Sequence, residues 1–316
     1  MRLIKKWISL ILYYWKTHPI LAISMIYFTA ASVVILANDS KLIVFDVLLI
    51  IAMALVLVIA KKKFNNDFLK DWIPLILLLV GYEYMRTIVP NMLDRALYVE
   101  VANLERAIFG TLPTIELQKL LYNPNRISWY DFVFTTLYVT HFVAPFVFGL
   151  FLWIKKRSAF HKFALALIIL SYSAFITYYF LPSSPPWLTS QFGYIPKIVK
   201  VQNEVYTEVM AFFNIAVKGV NDSLSFYNYV GGNPVAAIPS LHASYPLLIF
   251  LFVLKFFKKY IWIPLIYMIT VWFSIVYIGE HYIVDVLAGI MFTIASFLTA
   301  NYLLRNRRLE RINTRE

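Results

Sequence analysis

His281 and Asp285 stand four residues apart in the run Gly279-Glu280-His281-Tyr282-Ile283-Val284-Asp285. On a helix, that spacing puts both side chains on one face. The carboxylate can accept from one imidazole nitrogen, fix the tautomer and leave the other nitrogen free to attack. The same two residues also suit a structural ion pair at a helix end. A second histidine lies in Ile238-Pro239-Ser240-Leu241-His242-Ala243-Ser244. Pro239 and Ser240 read as a helix start there, with Ser240 able to cap it. Free N–H groups at such a start attract anions such as phosphate. The preceding Gly231-Gly232-Asn233-Pro234 lets the chain approach closely. A helix cap with a neighbouring histidine is the plainer reading of this segment. Of the other histidines, His18 and His161 sit in or beside basic stretches and read as surface residues, and His141 reads as a hydrogen-bonded core residue. There are no cysteines, which excludes disulfides, thiolate metal sites and cysteine nucleophiles.

The elements that must position these residues are membrane spans. The chain is 61% hydrophobic and only 15% charged over 316 residues, against roughly 25% charged in an ordinary soluble domain. This excludes a soluble globular enzyme, a disordered chain and a nucleic-acid module. A span needs about 20 apolar residues. Eight stretches qualify, near 19–36, 42–60, 72–90, 129–154, 163–181, 237–254, 260–278 and 282–304. The third holds Glu83 and Arg86, spaced to pair. The expected fold is therefore all-α, a polytopic helical bundle of about eight spans. Residues 1–128 form an N-terminal part and residues 129–316 a catalytic bundle. Arg2, Lys5, Lys6 and Lys16 precede no small-residue cleavage site, so the N-terminus reads as retained.

The net charge of +12 has a membrane explanation. Of 29 Lys and Arg, 20 fall in the segments 1–18, 61–71, 155–162, 255–259 and 305–316. Basic residues collect in cytoplasmic loops, which places both termini in the cytoplasm. Two long segments are then external. Within 91–128, Leu93, Leu97, Val101, Leu104 and Ile108 mark one helical face, while Asp94, Arg95, Glu100, Glu105 and Arg106 mark the other. This predicts an amphipathic helix in the outer interface. Within 182–236, a proline-serine cluster ends the fifth span, and a helix is expected around 202–220 with Val205, Val209, Phe212, Ala216 and Val220 on one face. In this topology the proline-serine cluster, His242 and His281 all reach the external side. Two histidines meeting beside an anion-binding helix start suit phosphoryl transfer, one attacking phosphorus and the other protonating the leaving oxygen.

These segments resemble the second and third motifs of the type 2 phosphatidic acid phosphatase superfamily, P-S-G-H and S-R-x5-H-x3-D. Here they read Pro239-Ser240-Leu241-His242 and Ser274-Ile275-x5-His281-x3-Asp285, followed by Val286-Leu287-Ala288-Gly289. The resemblance implies that His281 is the nucleophile that forms a phosphohistidine, Asp285 its orienting partner and His242 the general acid. It implies no metal and no cofactor. The superfamily's first motif, K-x6-R-P, is absent near residue 182, and the arginine of the third motif is Ile275. Pro182-Ser183-Ser184-Pro185-Pro186-Trp187 and His281-Tyr282-x2-Asp285 are instead similar to the inositol phosphorylceramide synthase branch. The second of these is also similar to sphingomyelin synthases. Such relatives move a phospho-headgroup from a phospholipid to a lipid alcohol.

A phosphodiester is a monoanion and needs less cationic help than a phosphomonoester, which fits the lost arginine. Lys197, Lys200 or Lys218 can supply replacement charge. Phosphate- or substrate-binding roles are expected for Ser240, Ser184, Trp187, Lys197, Glu280 and Tyr282. Expected partners are membrane lipids, with no nucleic acid. The oligomeric state and headgroup stay open. Two alternatives remain beside the transferase. One is a lipid-phosphate phosphatase with the same histidines. The other is a lipid transporter or scaffold in which His281 and Asp285 are structural, although transporters place polar groups near the midplane of broken, repeated spans.

Overall fold

A computed structural model describes residues 89–213 and 233–313, together with single positions between Asp71 and Tyr82. The expected spans 19–36 and 42–60, most of 72–90 with Glu83 and Arg86, and also Lys218, Gly231 and Gly232 lie outside the described residues. The chain divides into two compact units, Met1–Thr87 and Ile88–Glu316, so residues 88–128 fold with the second. All histidine chemistry lies in that second unit.

Among the described residues the fold is all-helical. A 3-10 turn, Val89–Arg95, leads into α1 (Val99–Phe109), α2 (Pro113–Leu121), α3 (Trp129–Lys155), α4 (Arg157–Phe180) and α5 (Pro186–Gln191). Then come α6 (Val201–Phe212), α7 (Leu241–Phe256), α8 (Trp262–Tyr277) and α9 (Ile283–Asn313). Local signals set several boundaries. Gly110, at φ 73°, ends α1 with its N–H on the Arg106 carbonyl. Pro113 opens α2. Asp131 reaches back from the first turn of α3 to accept from the Ser128 N–H at 2.7 Å. Ser240 caps α7, accepting from the Ala243 N–H at 3.2 Å, as its sequence position suggested.

Helices α3, α4 and α9 as far as Arg305 are long and apolar enough to cross a membrane, and α7 and α8 are shorter apolar helices. The five lie close to the expected spans. Their outward residues are large and apolar: Val147 and Ile154 on α3, Ile263 and Ile266 on α8, Met291 and Leu298 on α9. In water such stripes would be costly, whereas hydrocarbon accepts them. Among the inward residues, beside large ones such as Phe163 and Leu248, are small or hydroxylated ones: Ala166, Ser171 and Ala174 on α4 and Ala243 and Ser244 on α7 are all buried. Small residues let helices approach closely, and hydroxyls bond across the gap. Ser171 Oγ lies 2.9 Å from the Tyr245 hydroxyl.

A close approach joins α7 to α9. A Cβ on Gly289 would stand 2.6 Å from the Ser240 carbonyl oxygen and 2.9 Å from Ser244 Oγ. The Ser240 N–H donates to the Asp285 carbonyl at 3.0 Å, and Ser244 Oγ donates to the carbonyls of Ser240 and Gly289. The start of α7 is thus laid against the first two turns of α9.

Two expectations change. Residues 91–108 are not one helix, because the chain breaks at 96–98 to pair with the proline-serine segment. The Leu97 N–H donates to the Pro182 carbonyl at 2.8 Å, and the Ser184 N–H to the Leu97 carbonyl at 3.0 Å. In α1 the faces also differ from the expected pattern. Leu104 and Ile108 are exposed, while Glu105 is buried. The helix expected at 202–220 is described as far as Phe212. Val201, Gln202, Asn203 and Val205 are its buried residues, and Val209 and Phe212 are exposed.

Candidate active site

Helix α8 ends at Tyr277, and the chain doubles back at once. Gly279 makes the turn at φ 86°. The N–H groups of Glu280 and His281 then both donate to the Ile275 carbonyl at 3.0 Å. A Cβ on Gly279 would meet the Val199 carbonyl and Ile198 at 3.1 Å, so this turn is closely packed as well as left-handed. The reversal drops His281 back beside the last turn of α8, where α7 begins.

His281 Nδ1 lies 3.2 Å from Asp285 Oδ2. The same oxygen accepts from the Tyr282 N–H at 2.9 Å, which fixes the carboxylate. On the other side of the ring, His281 Nε2 lies 2.9 Å from His242 Nδ1. If Nδ1 of His281 carries the proton facing Asp285, Nε2 presents its lone pair to the Nδ1–H of His242. Asp285, His281 and His242 then form one relay. His242 Nε2 and Asp285 Oδ1 are buried and have no hydrogen-bond partner among the described residues.

Two α3 residues that sequence reasoning did not place here complete the surround. Tyr138 stacks on His242 with ring centroids 4.4 Å apart, and the His141 ring lies 3.7 Å from that of His242. His141 Nδ1 is 2.5 Å from the Tyr138 carbonyl, so it is the hydrogen-bonded core histidine expected of it, and it also touches the pair. At 1.5 Å per residue, Tyr138 and His141 sit roughly 14–18 Å along α3 from Trp129. The site therefore stands at the starts of α7 and α9, as expected, and packs against α3 within that helix's length.

The residues expected to bind substrate separate into groups. Ser240 is buried as the α7 cap. Ser184 is buried, donates to the Pro185 carbonyl at 3.2 Å and accepts from Thr189 Oγ1 at 2.9 Å. Tyr282 is buried in a cluster with Val101, Ala102 and Val284. Trp187 is 2% exposed. Lys197 is exposed. The buried cation is Lys200, whose Nζ lies 3.3 Å from Glu280 Oε1 and 3.8 Å from the centre of the Trp187 ring. Burial pulls the Lys200 ammonium down to about 8, against the restoring charge of Glu280. Ile275, where the superfamily motif has arginine, is fully buried with Tyr138, Val201, Val205 and Ala243.

One further residue was missed. Glu105 reaches from α1 to the start of α9, accepting from the Ile283 and Val284 N–H groups at 3.0 Å each. It caps the start of α9 and holds the turn bearing Asp285. Burial pushes its carboxyl above the usual range, while the two N–H bonds oppose that shift. Among the described residues, no cluster of His, Cys, Asp and Glu is arranged to hold a metal ion.

A histidine pair with a carboxylate on one member, set in an apolar helical bundle, is a site able to carry a phosphoryl group. The chain belongs to the PAP2 superfamily, whose family model matches residues 100–299. It is a membrane enzyme of that superfamily, related to ceramide phosphoinositol transferases. The chain is 29% identical over 233 residues to a phosphoinositol dihydroceramide synthase of Bacteroides thetaiotaomicron, covering 71% of this chain and 73% of the relative. It is 26% identical over 168 residues to the inositol phosphorylceramide synthase catalytic subunit aur1 of Schizosaccharomyces pombe, covering 52% of this chain and 38% of that one. No solved structure gives a significant match.

Proposed function

We propose that the protein transfers a phospho-headgroup, phosphoinositol in the first instance, from a phospholipid to a lipid alcohol of the dihydroceramide type. The observation that carries this reading is the 2.9 Å contact between His281 Nε2 and His242 Nδ1, with Asp285 on the opposite nitrogen of His281. The names of the two relatives supply the headgroup and the acceptor class.

In the first step, the His281 Nε2 lone pair attacks phosphorus. The N–P bond forms and the P–O bond to diacylglycerol breaks. Bound donor anion favours a second proton on His242, and that proton passes to the departing oxygen. Asp285 offsets the positive charge of the phosphorylated ring. In the second step, neutral His242 takes the proton of the acceptor hydroxyl, whose oxygen attacks phosphorus while the P–N bond breaks. His281 is restored. Attack distances are roughly 3–3.5 Å, so phosphorus cannot fit within the 2.9 Å contact, and donor binding must part the two rings. The buried, apolar Ile275 supports a diester, since a monoanion needs less countercharge than a dianion.

The external placement of the site, with both termini cytoplasmic, belongs to the same reading. It is supported by the basic residues at the other ends of the helices: Lys155 and Lys156, Lys255, Lys258 and Lys259, and Arg305.

The test uses purified protein in vesicles with headgroup-labelled phosphatidylinositol and a short-chain dihydroceramide. Label should appear on the acceptor, and a covalent phospho-enzyme should be trapped when the acceptor is withheld. His281→Ala should abolish both. Asp285→Asn should keep the fold and lose most of the rate, because the ring loses its preferred tautomer and its countercharge. If phosphatidic acid is cleaved far faster and no acceptor captures label, the protein is a phosphatase instead. Full activity in His281→Ala would remove the histidine mechanism altogether.

A further inference from the structure

The chain just before His281 carries a second buried polar group that phosphoryl transfer itself does not use. Glu280 and Lys200 are 2% and 3% exposed, and they form an ion pair at 3.3 Å. Beyond Lys200, α6 opens with Gln202 and Asn203, both also buried. Gln202 Nε2 donates to the Tyr206 hydroxyl at 2.7 Å. Burial pushes the Tyr206 hydroxyl up to about 12, with the Glu280 charge a lesser cause. Two atoms of the group are left open: Gln202 Oε1 and Asn203 Nδ2 are buried and have no hydrogen-bond partner among the described residues.

An unmet buried polar atom is costly, and native structures keep few of them. Here an open acceptor and an open donor lie two and three residues after the paired Lys200 ammonium, at the start of α6. That set of donors and acceptors matches a ligand rich in hydroxyls, each of which both gives and accepts. It does not match a cationic headgroup. The ion pair has no net charge to attract one. A quaternary ammonium is recognised on aromatic faces, and the Trp187 face is already covered by Lys200 Nζ at 3.8 Å.

We propose that Glu280, Lys200, Gln202 and Asn203 form the subsite for an uncharged, polyhydroxylated headgroup, of the cyclitol or sugar class, on the donor phospholipid. The subsite rests on the transferase reading. In that reaction the headgroup stays with phosphorus on His281 while diacylglycerol leaves, so it must be held beside residue 281 through both steps. Glu280 precedes His281 in the chain, and the turn at Gly279 carries both residues together. Lys200 and Glu280 hydrogen-bond neighbouring hydroxyls, while Gln202 Oε1 and Asn203 Nδ2 take up the bonds they lack.

The test separates binding from turnover. Glycerophosphoinositol, glycerophosphocholine and free inositol are added to the full-length protein in detergent, and thermal unfolding is followed. Glycerophosphoinositol should raise the midpoint and glycerophosphocholine should not. The nearly isosteric Gln202→Met and Asn203→Leu should each remove most of that shift. They should also raise KM for phosphatidylinositol at least tenfold, with a smaller change in kcat. Equal shifts from the inositol and choline probes overturn the proposal, and this wild-type comparison decides even if a variant fails to fold. So does unchanged selectivity in both variants. Free inositol matching glycerophosphoinositol would overturn the lipid-headgroup assignment. Selective binding without any transfer would sink the transferase reading and leave the subsite standing. Transfer from phosphatidylcholine as fast as from phosphatidylinositol would sink the subsite alone.

Discussion

Ile275 shows how one position can carry two jobs. Its carbonyl receives the N–H groups of Glu280 and His281, while its side chain fills the core with Tyr138 and Ala243. Restoring the superfamily arginine would place a charge among apolar side chains. Burying an unpaired charge costs several kcal/mol. Ile275→Arg should therefore lower the unfolding midpoint and reduce headgroup transfer, with no gain in phosphatidic acid cleavage. A stable variant that gains monoester hydrolysis would show that the arginine reaches the phosphate after all. Lys200 gives a pH signature at the same scale. Its folded value, about 8, lies below the ordinary 10.5, chiefly because burial disfavours the charge. Between those values the unfolded chain holds more protons than the folded one, so the Lys200 contribution to stability rises with pH across that window. Comparing unfolding midpoints of wild type and Lys200→Met from about pH 7.5 to 10 should show this rise in the wild type only. Parallel curves would mean that Lys200 is not held in a perturbed state.

At the scale of elements, the site depends on how α1, α7 and α9 meet. At the start of α9, Glu105 caps the Ile283 and Val284 N–H groups from far along the chain. Glu105→Gln keeps the shape but leaves only one oxygen for two N–H donors. Hydrogen bonds to charged groups contribute about 1.5–3 kcal/mol, so a loss of that order in stability is expected, with slower transfer as the turn bearing Asp285 loosens. An unchanged midpoint and rate would show that α9 starts without help. This contact also explains what the sequence could and could not reveal. His242, His281 and Asp285 were legible because each lies in a short local pattern with a specific spacing. The five apolar helices were legible because composition and length mark them. Glu105 was assigned to a solvated face because the periodicity of 91–108 cannot register a partner near residue 283. Tyr138 and His141 were missed as site residues for a similar reason. Nothing in α3 indicates that α7 begins roughly 14–18 Å along it from Trp129. Lys197 and Lys200 could be separated only by burial, which three residues of loop sequence do not encode.

In the proposed transfer, the whole molecule sets where the acceptor arrives and where the phospho-enzyme is exposed. A site between apolar helices suits a lipid alcohol that enters sideways from the bilayer, because water must stay away from phosphohistidine until that alcohol has reacted. The side of the membrane from which headgroups enter follows from chain orientation, and the basic residues support the proposed one. Lys156 and Lys255 lie near one another around Phe256, at 4.8 and 5.7 Å from its ring, and Lys255 bonds Asn301 on α9. One end of the α3, α4, α7 and α9 assembly is therefore strongly basic, and the positive-inside rule assigns that end to the cytoplasm. The α2–α3 connection lies at the other end of α3. With no native cysteine to interfere, single cysteines can be placed at two exposed positions, Ser158 by the basic end and Asn125 in the α2–α3 connection. In intact cells an impermeant thiol reagent should label Asn125→Cys and spare Ser158→Cys, and both should label once the membrane is permeabilised. The reverse pattern would turn the molecule over. It would put the headgroup entrance in the cytoplasm, and with it the donor pool on which the transfer draws.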